Sequence, residues 1–304
     1  MIRKLGLLLF VAIVMAACQS TPAPTRVAAP TLNIVAAETF LADIAQNVAG
    51  ERATIKSLMP IGVDPHSFEP TPQDVATVAE SNVLIVNGAG FEGFLDELLQ
   101  NAGGQRTVIE ASAGLTPRQP AATENVDEPL DPHFWLDPNN VIKYVENIRD
   151  ALQKIDPATA VYYGANADTY IEQLKALDRV IRDQVATIPE SRRLIVTNHE
   201  SFGYFADRYG FKVIGTIIPS VSTDAAPSAQ QLAQLIDTIK ATGASAVFLE
   251  TGTNPQLAQQ IASETGIKVV TDLYSHSISE PRGPAPTYVD MIQSNALAIV
   301  KALK

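Results

Sequence analysis

From Pro157 to Ile188 the chain carries no strand signal, and for roughly thirty residues its apolar positions recur at the three- and four-residue spacing of a single helix face. Ala160, Tyr163, Ala167, Tyr170, Leu174, Leu177, Ile181 and Val185 form that stripe. Asp156-Pro157 offers a capping residue followed by proline at the first helical position, and Pro189 marks the stop. A helix of this length extends about 45 Å at 1.5 Å per residue, enough to run along a molecule of two lobes. The alternative is two shorter helices broken at Gly164, since glycine inside a helix costs about 1 kcal/mol.

On either side the pattern changes. Short apolar, β-branched runs occur at Leu32 to Val35, Val83 to Val86, Leu194 to Val196, Val213 to Ile218, Ala246 to Leu249 and Ile267 to Val270. Helix-period segments such as Ala229 to Ala241 and Pro255 to Thr265 alternate with them. Continuous apolar strands separated by helices predict βαβ units and parallel sheets covered on both faces, so the fold class is α/β. The division that follows is an amino-terminal α/β lobe at 32–156, a linking helix at 157–188 and a carboxyl-terminal α/β lobe at 189–304.

The first residues set the compartment. Met1-Ile2-Arg3-Lys4 is a short basic region, Leu5 to Val14 is an apolar run too short to span a bilayer, and Ala16-Ala17 are small residues before the only cysteine, Cys18. Residues 1–17 read as a signal peptide, with a buried amino-terminal helix as the alternative. Met15-Ala16-Ala17-Cys18 resembles a bacterial lipobox with methionine in place of leucine, which implies cleavage before Cys18 and its lipidation. The mature chain is then anchored to a membrane surface, on the outer face of the cytoplasmic membrane or in the periplasm, through a flexible tether at 18–31 rich in Pro, Ala, Ser and Thr. The rest of the composition is that of a folded protein, with 46% hydrophobic and 18% charged residues. A net charge of −11 argues against nucleic acid as a partner.

The chain has four histidines, His66, His133, His199 and His276, each in a loop-like stretch beside a strand or helix. Histidine is the commonest protein ligand for transition metals, which makes one shared metal site a reading worth testing. His66 sits in Met59-Pro60-Ile61-Gly62-Val63-Asp64-Pro65-His66-Ser67-Phe68-Glu69-Pro70-Thr71-Pro72, a loop that four prolines stiffen. Taken alone it is equally a capping or solvent-facing histidine. His133 stands just ahead of a helix that Asp137 caps and Pro138 opens, with the sole tryptophan, Trp135, two positions on. His199 follows the strand Leu194 to Thr197, and His276 follows Ile267 to Val270. In open α/β sheets ligands bind beyond the carboxyl ends of strands. For any one of these residues a satisfied structural histidine remains the alternative.

Four segments taken together go further: Pro65-His66-Ser67-Phe68-Glu69-Pro70, His133-Phe134-Trp135-Leu136-Asp137-Pro138, Asn198-His199-Glu200-Ser201-Phe202-Gly203-Tyr204-Phe205 and Leu273-Tyr274-Ser275-His276-Ser277. In order and spacing, over nearly the whole mature chain, they resemble the substrate-binding lipoproteins of zinc and manganese ABC transporters. The resemblance implies two Rossmann-like lobes with parallel sheets, joined by one long rigid helix, and a metal held in the cleft between them for delivery to a membrane permease. It places His66 and His133 on the amino-terminal lobe and His199 and His276 on the carboxyl-terminal lobe, as metal ligands in a protein expected to act as a monomer. Many members have an acidic residue where His276 falls, which leaves Asp272 as an alternative fourth ligand.

Imidazole suits Zn2+ in a tetrahedral shell, whereas Mn2+ favours carboxylates, carbonyls and water, so zinc is the expected cargo and manganese the alternative. Four neutral imidazoles leave the metal charge uncompensated, and Glu69, Asp131, Glu200 and Asp272 are candidate partners for the outer ring nitrogens; surface or capping roles are the alternative for each. The stretch Pro117 to Asp131 carries Glu124, Asp127 and Glu128 but no histidine, so a histidine-rich collecting loop of the kind found in some zinc carriers is absent. A zinc hydrolase keeps an open coordination position and a general base, and this chain has neither a His-Glu-x-x-His helix nor a Gly-x-Ser-x-Gly elbow. The expectation is a carrier, not an enzyme. A surface adhesin on the same fold is a further reading compatible with the lipid anchor.

Overall fold

The computed structural model describes residues 32–119 and 130–304. The expected signal peptide at 1–17, the tether at 18–31 with Cys18, and the acidic residues Glu124, Asp127 and Glu128 lie outside the described residues. The amino-terminal half contains β1 (Leu32–Ala36), α1 (Thr39–Ala49), β2 (Ala53–Ser57), α2 (Pro72–Ala79), β3 (Val83–Val86), α3 (Leu95–Ala102), β4 (Thr107–Glu110) and α4 (Pro138–Ile155). After α5 (Ala160–Ala186) come β5 (Leu194–Thr197), α6 (Gly203–Tyr209), β6 (Lys212–Thr216), α7 (Ala229–Thr242), β7 (Ala246–Glu250), α8 (Gln256–Thr265), β8 (Lys268–Leu273) and α9 (Tyr288–Leu303).

Two parallel four-stranded sheets result, ordered β2-β1-β3-β4 and β6-β5-β7-β8, so the same winding occurs twice. The central strands β3 and β7 are buried at every position, which is why they read as continuous apolar runs. The edge strands β2 (ATIKS) and β4 (TVIE) interleave polar residues with apolar ones, and the sequence reading missed both.

Side-chain alternation along each strand sorts the core into layers. Val35, Leu84 and Val86 face outward and pack with Val78 of α2 and Leu98 of α3. Val196, Val247 and Leu249 do the same with Leu235 and Ile239 of α7 and Ile261 of α8. Their neighbours in sequence, Ile34, Ile85, Ile195 and Phe248, turn the other way and join a single cluster with Phe40, Ile44, Tyr144, Leu174 and Ile292. The helices α1, α4, α5 and α9 supply that shared layer.

The helix α5 is continuous through Gly164, and its 27 residues span about 40 Å. Its buried face is the predicted one, including Tyr163, Tyr170, Leu174, Ile181 and Val185. A Cβ at Gly164 would stand 3.3 Å from Gln153 Nε2, so the small residue permits the close approach of α4. The start differs from expectation: residues Pro157–Thr159 form a 3-10 turn, and the Asp156 carboxylate accepts the Tyr163 hydroxyl at 3.0 Å rather than capping backbone amides. Asp178 is buried on α5 and fully paired, taking Arg208 Nε and Nη2 at 2.8 Å each and Arg182 Nε at 3.0 Å. An unpaired charge there would cost several kcal/mol, so the pairing holds α6 firmly against the long helix.

Candidate metal centre

Each parallel strand delivers its following residues to the carboxyl edge of its sheet, and the two edges face one cleft. His66 follows β2 in the 3-10 turn Pro65–Ser67, whose N-cap Asp64 accepts the His66 amide at 3.0 Å. His133 precedes the 3-10 turn Phe134–Leu136, after which Asp137 caps α4 by accepting the Asn139 amide at 2.8 Å. His199 lies two residues beyond β5, where Thr197 Oγ1 donates to its carbonyl at 2.9 Å. His276 follows β8, and Trp135 Nε1 donates to the adjacent Ser275 carbonyl at 2.6 Å, tying the His133 and His276 loops together across the cleft.

The four rings converge. All six pairs of ring centroids lie between 5.0 and 5.5 Å apart. One ligand-capable nitrogen from each residue falls within 4.8 Å of the others. His133 Nε2 is 3.3 Å from His199 Nε2 and 3.4 Å from His276 Nε2, and His66 Nε2 is buried without a hydrogen-bond partner. Phe91 walls the group, edge-on to His66 at 5.2 Å and to His133 at 5.7 Å.

The outer nitrogens are held by acids. Asp131 Oδ1 lies 2.8 Å from His133 Nδ1 and also accepts the His133 amide at 3.0 Å, while Oδ2 meets Arg118 at 3.4 Å. Tyr204 donates to the Asp131 carbonyl at 2.8 Å and accepts the Arg118 amide at 2.9 Å. A Cβ at Gly203 would overlap the Arg118 guanidinium, so glycine is what lets this arginine cross α6. On the other lobe Glu250 Oε1 lies 2.6 Å from His199 Nδ1, and Oε2 lies 3.7 Å from His276 Nδ1.

Burial and these partners set the protonation. Burial pulls His66 down to about 4, with the neighbouring His199 charge adding to the effect. Burial likewise holds His133 and His276 well below the ordinary histidine range. His199 goes the other way: burial lowers it, but the Glu250 carboxylate outweighs burial and raises it. Glu250 is held below the usual carboxylate range, since His199 overcomes the opposing effect of burial. Three of the imidazoles are therefore held neutral, and His199 is the one whose partner favours a proton.

The sequence-derived acids fare unequally. Asp131 stands against His133 as anticipated. Glu200 is buried, with its amide on the Ser220 carbonyl at 2.9 Å. Glu69 is exposed and lines a depression of about 330 Å³ beside His66, together with Phe94 and Asp224. Asp272 is exposed on β8, accepts the Thr271 hydroxyl at 3.3 Å, and is not among the side chains that converge. Glu250 was missed; its one sequence signal is its place at the end of a fully apolar strand.

Two lobes of identical winding that bring four imidazoles to one buried point, closed by protein side chains, define a metal-ion carrier. The chain belongs to the family described as zinc-uptake complex component A, periplasmic (ZnuA), whose profile matches residues 34–302. It is a solute-binding component of metal-ion transport, it works outside the cytoplasm, and it is not an enzyme. It is 34% identical to the manganese-binding lipoprotein MntA of Halalkalibacterium halodurans over 97% of this chain and 96% of that one. It is 32% identical to the iron-binding protein YfeA of Yersinia pestis, over 94% and 90% of the two chains. The structure matches the periplasmic zinc-binding protein TroA of Treponema pallidum with a TM-score of 0.81 and 28% identity, covering 89% of this chain and 98% of that one. Among the described residues no helix is long and apolar enough to cross a membrane.

Proposed function

We propose that this chain captures Zn2+ between its lobes through His66, His133, His199 and His276 and delivers it to the permease of an ABC transporter, anchored to the membrane by a lipid on Cys18. In this reading 32–156 and 189–304 are the two lobes and 157–188 is the stiff element joining them. The observation that carries the choice of metal is the convergence of four imidazole nitrogens with no carboxylate in the group, two of the Nε2 separations being 3.3 and 3.4 Å. A tetrahedron with Zn–N bonds of about 2.0–2.1 Å has edges of roughly 3.3 Å. In the metal-free chain a proton on one Nε2 relieves the repulsion between facing lone pairs at that separation, and a cation at the centre takes its place. An all-nitrogen shell also disfavours Mn2+, which stands lowest in the order of divalent affinities and prefers oxygen ligands. The relatives named for manganese and iron make this preference the point to test.

Metal analysis of the purified chain, followed by zinc and manganese titrations of the four single His→Ala variants, tests it. Each variant is expected to lose more than the 10–100-fold typical of a residue that only orients a ligand. Unchanged affinity in all four, or tighter binding of Mn2+ than of Zn2+ by the parent chain, overturns the reading.

A further inference from the structure

The sheet order places β7 between β5 and β8, the strands that lead to His199 and His276. Glu250 is the last residue of β7, and its side chain is 7% exposed. Its two oxygens divide between the neighbours: Oε1 lies 2.6 Å from His199 Nδ1 and Oε2 lies 3.7 Å from His276 Nδ1, while Ser201 Oγ donates to Oε1 at 3.3 Å. The same carboxylate reaches the wall of a cleft cavity of about 250 Å³, shared with Asp64, Asn198 and Thr223. The amino-terminal lobe is built differently, since Asp131 serves one imidazole and spends its second oxygen on Arg118.

We propose that Glu250 is a positioning residue for two ligands at once, and that it sets the metal preference of the proposed site. Resting on the metal-binding reading above, this role is one of tautomer and charge. A carboxylate 2.6 Å from Nδ1 of His199 requires the proton there and leaves Nε2 free for the metal, and at 3.7 Å the same charge favours a proton on the facing Nδ1 of His276. Four imidazoles contribute no negative charge, and the charge of Asp131 is already opposed by Arg118. Glu250 supplies a buried anion for the divalent ion, to which the less buried Asp64 across the cavity adds, and its nearness to both rings is what permits a histidine at 276. Positions 250 and 276 therefore act as a unit: an aspartate at 276 would bring its own charge, have no ring nitrogen to be held, and stand against a like charge.

The test is a double-mutant cycle in the full chain, with Glu250→Gln, His276→Asp and both together, read by zinc affinity in chelator competition and by the visible spectrum of the Co2+ form. Glu250→Gln is expected to weaken zinc 10–100-fold and to change the intense bands of tetrahedral cobalt. In the His276→Asp background the same change should cost several-fold less, because only His199 still depends on it. Ring-nitrogen NMR of the unmodified zinc form should show protons on Nδ1 of His199 and His276, a readout that decides the matter even where Glu250→Gln does not fold. A folded Glu250→Gln chain with the parent's zinc affinity and cobalt spectrum, equal losses in both backgrounds, or His199 bound through Nδ1 would each overturn the proposal. His133→Ala separates the two levels of failure. If it abolishes binding while Glu250→Gln is silent, only the role of Glu250 falls; if it too is silent, the metal site falls with it.

Discussion

The two lobes wind identically, yet they use the ends of their adjacent first and third strands in opposite ways. In the carboxyl-terminal lobe those ends carry His199 and Glu250, an imidazole against a carboxylate. In the amino-terminal lobe the corresponding ends, beyond β1 and β3, carry Glu38 and Glu92, two carboxyls both buried. Glu92 accepts the Asn87 amide and, at 3.1 Å, the Gly88 amide, closing a loop in which Gly88, Ala89 and Gly90 all have positive φ. Glu38 has no other partner for its oxygens, so the pair is stable only if Glu38 keeps a proton and donates it to Glu92. Burial raises Glu38 well above its usual range and Glu92 to about 7. One lobe answers buried charge with an imidazole; the other answers it with a proton alone. The second pair only braces the loop that aims Phe91 at the histidines.

The sharpest way to break this contrast is Glu38→Gln, which builds the shared proton in permanently as an amide N–H. A carboxyl raised in the folded state binds protons that the unfolded chain has released, so stability falls as pH rises from about 4.5 through about 7. Glu38→Gln should therefore stabilise the metal-free protein more at pH 8 than at pH 5, leaving zinc affinity unchanged. Urea unfolding at the two pH values measures it. Equal effects at both, or a loss of zinc affinity, would erase the distinction between the lobes.

Next in size is Asp131→Asn, which removes the charge behind His133 while keeping an oxygen that can accept from Nδ1. The expected loss is 10–100-fold in zinc affinity, about 1.4–2.7 kcal/mol, and smaller than that of Glu250→Gln, because the charge of Asp131 faces one ring and that of Glu250 faces two. Parallel chelator titrations of the two variants rank them. A larger loss at Asp131 would contradict the idea that sharing one carboxylate matters.

The contrast also explains what could be read from the sequence. The central strands, α5, α7 and α8 were legible because burial on both faces, or on one stripe, leaves a period in the residues themselves. The edge strands β2 and β4 were not, since half their positions meet solvent and carry Thr, Lys and Glu. The four histidines were legible as residues, and Asp131 as a neighbour two positions from His133. Glu250 lies 51 positions from His199 in the chain. Only the pairing of β5 with β7 brings the two together, and no local spacing records that register. Asp272, the alternative fourth ligand four positions from His276, is left exposed as part of strand β8, with no place in the cluster.

The smallest expected effect concerns the one proposed ligand that neither lobe encloses fully. His66 is only half-buried, and its loop is fastened to the opposite lobe by two hydrogen bonds, Thr223 Oγ1 to Asp64 Oδ2 at 2.6 Å and the Gly62 amide to Ser277 Oγ at 2.9 Å. His133, by contrast, is fully buried and held within its own lobe by Asp131. Thr223→Val removes one fastening and keeps the shape, so about 1 kcal/mol is at stake, as for a partly exposed hydrogen bond. Since that bond forms only with the lobes together, its loss should appear as a roughly five-fold faster release of zinc with little change in the rate of capture. Stopped-flow release into excess chelator reads the first rate and direct mixing reads the second. An unchanged release rate would mean that the Gly62–Ser277 bond and the prolines suffice to hold the His66 loop, and that the two lobes grip the metal more equally than their burial suggests.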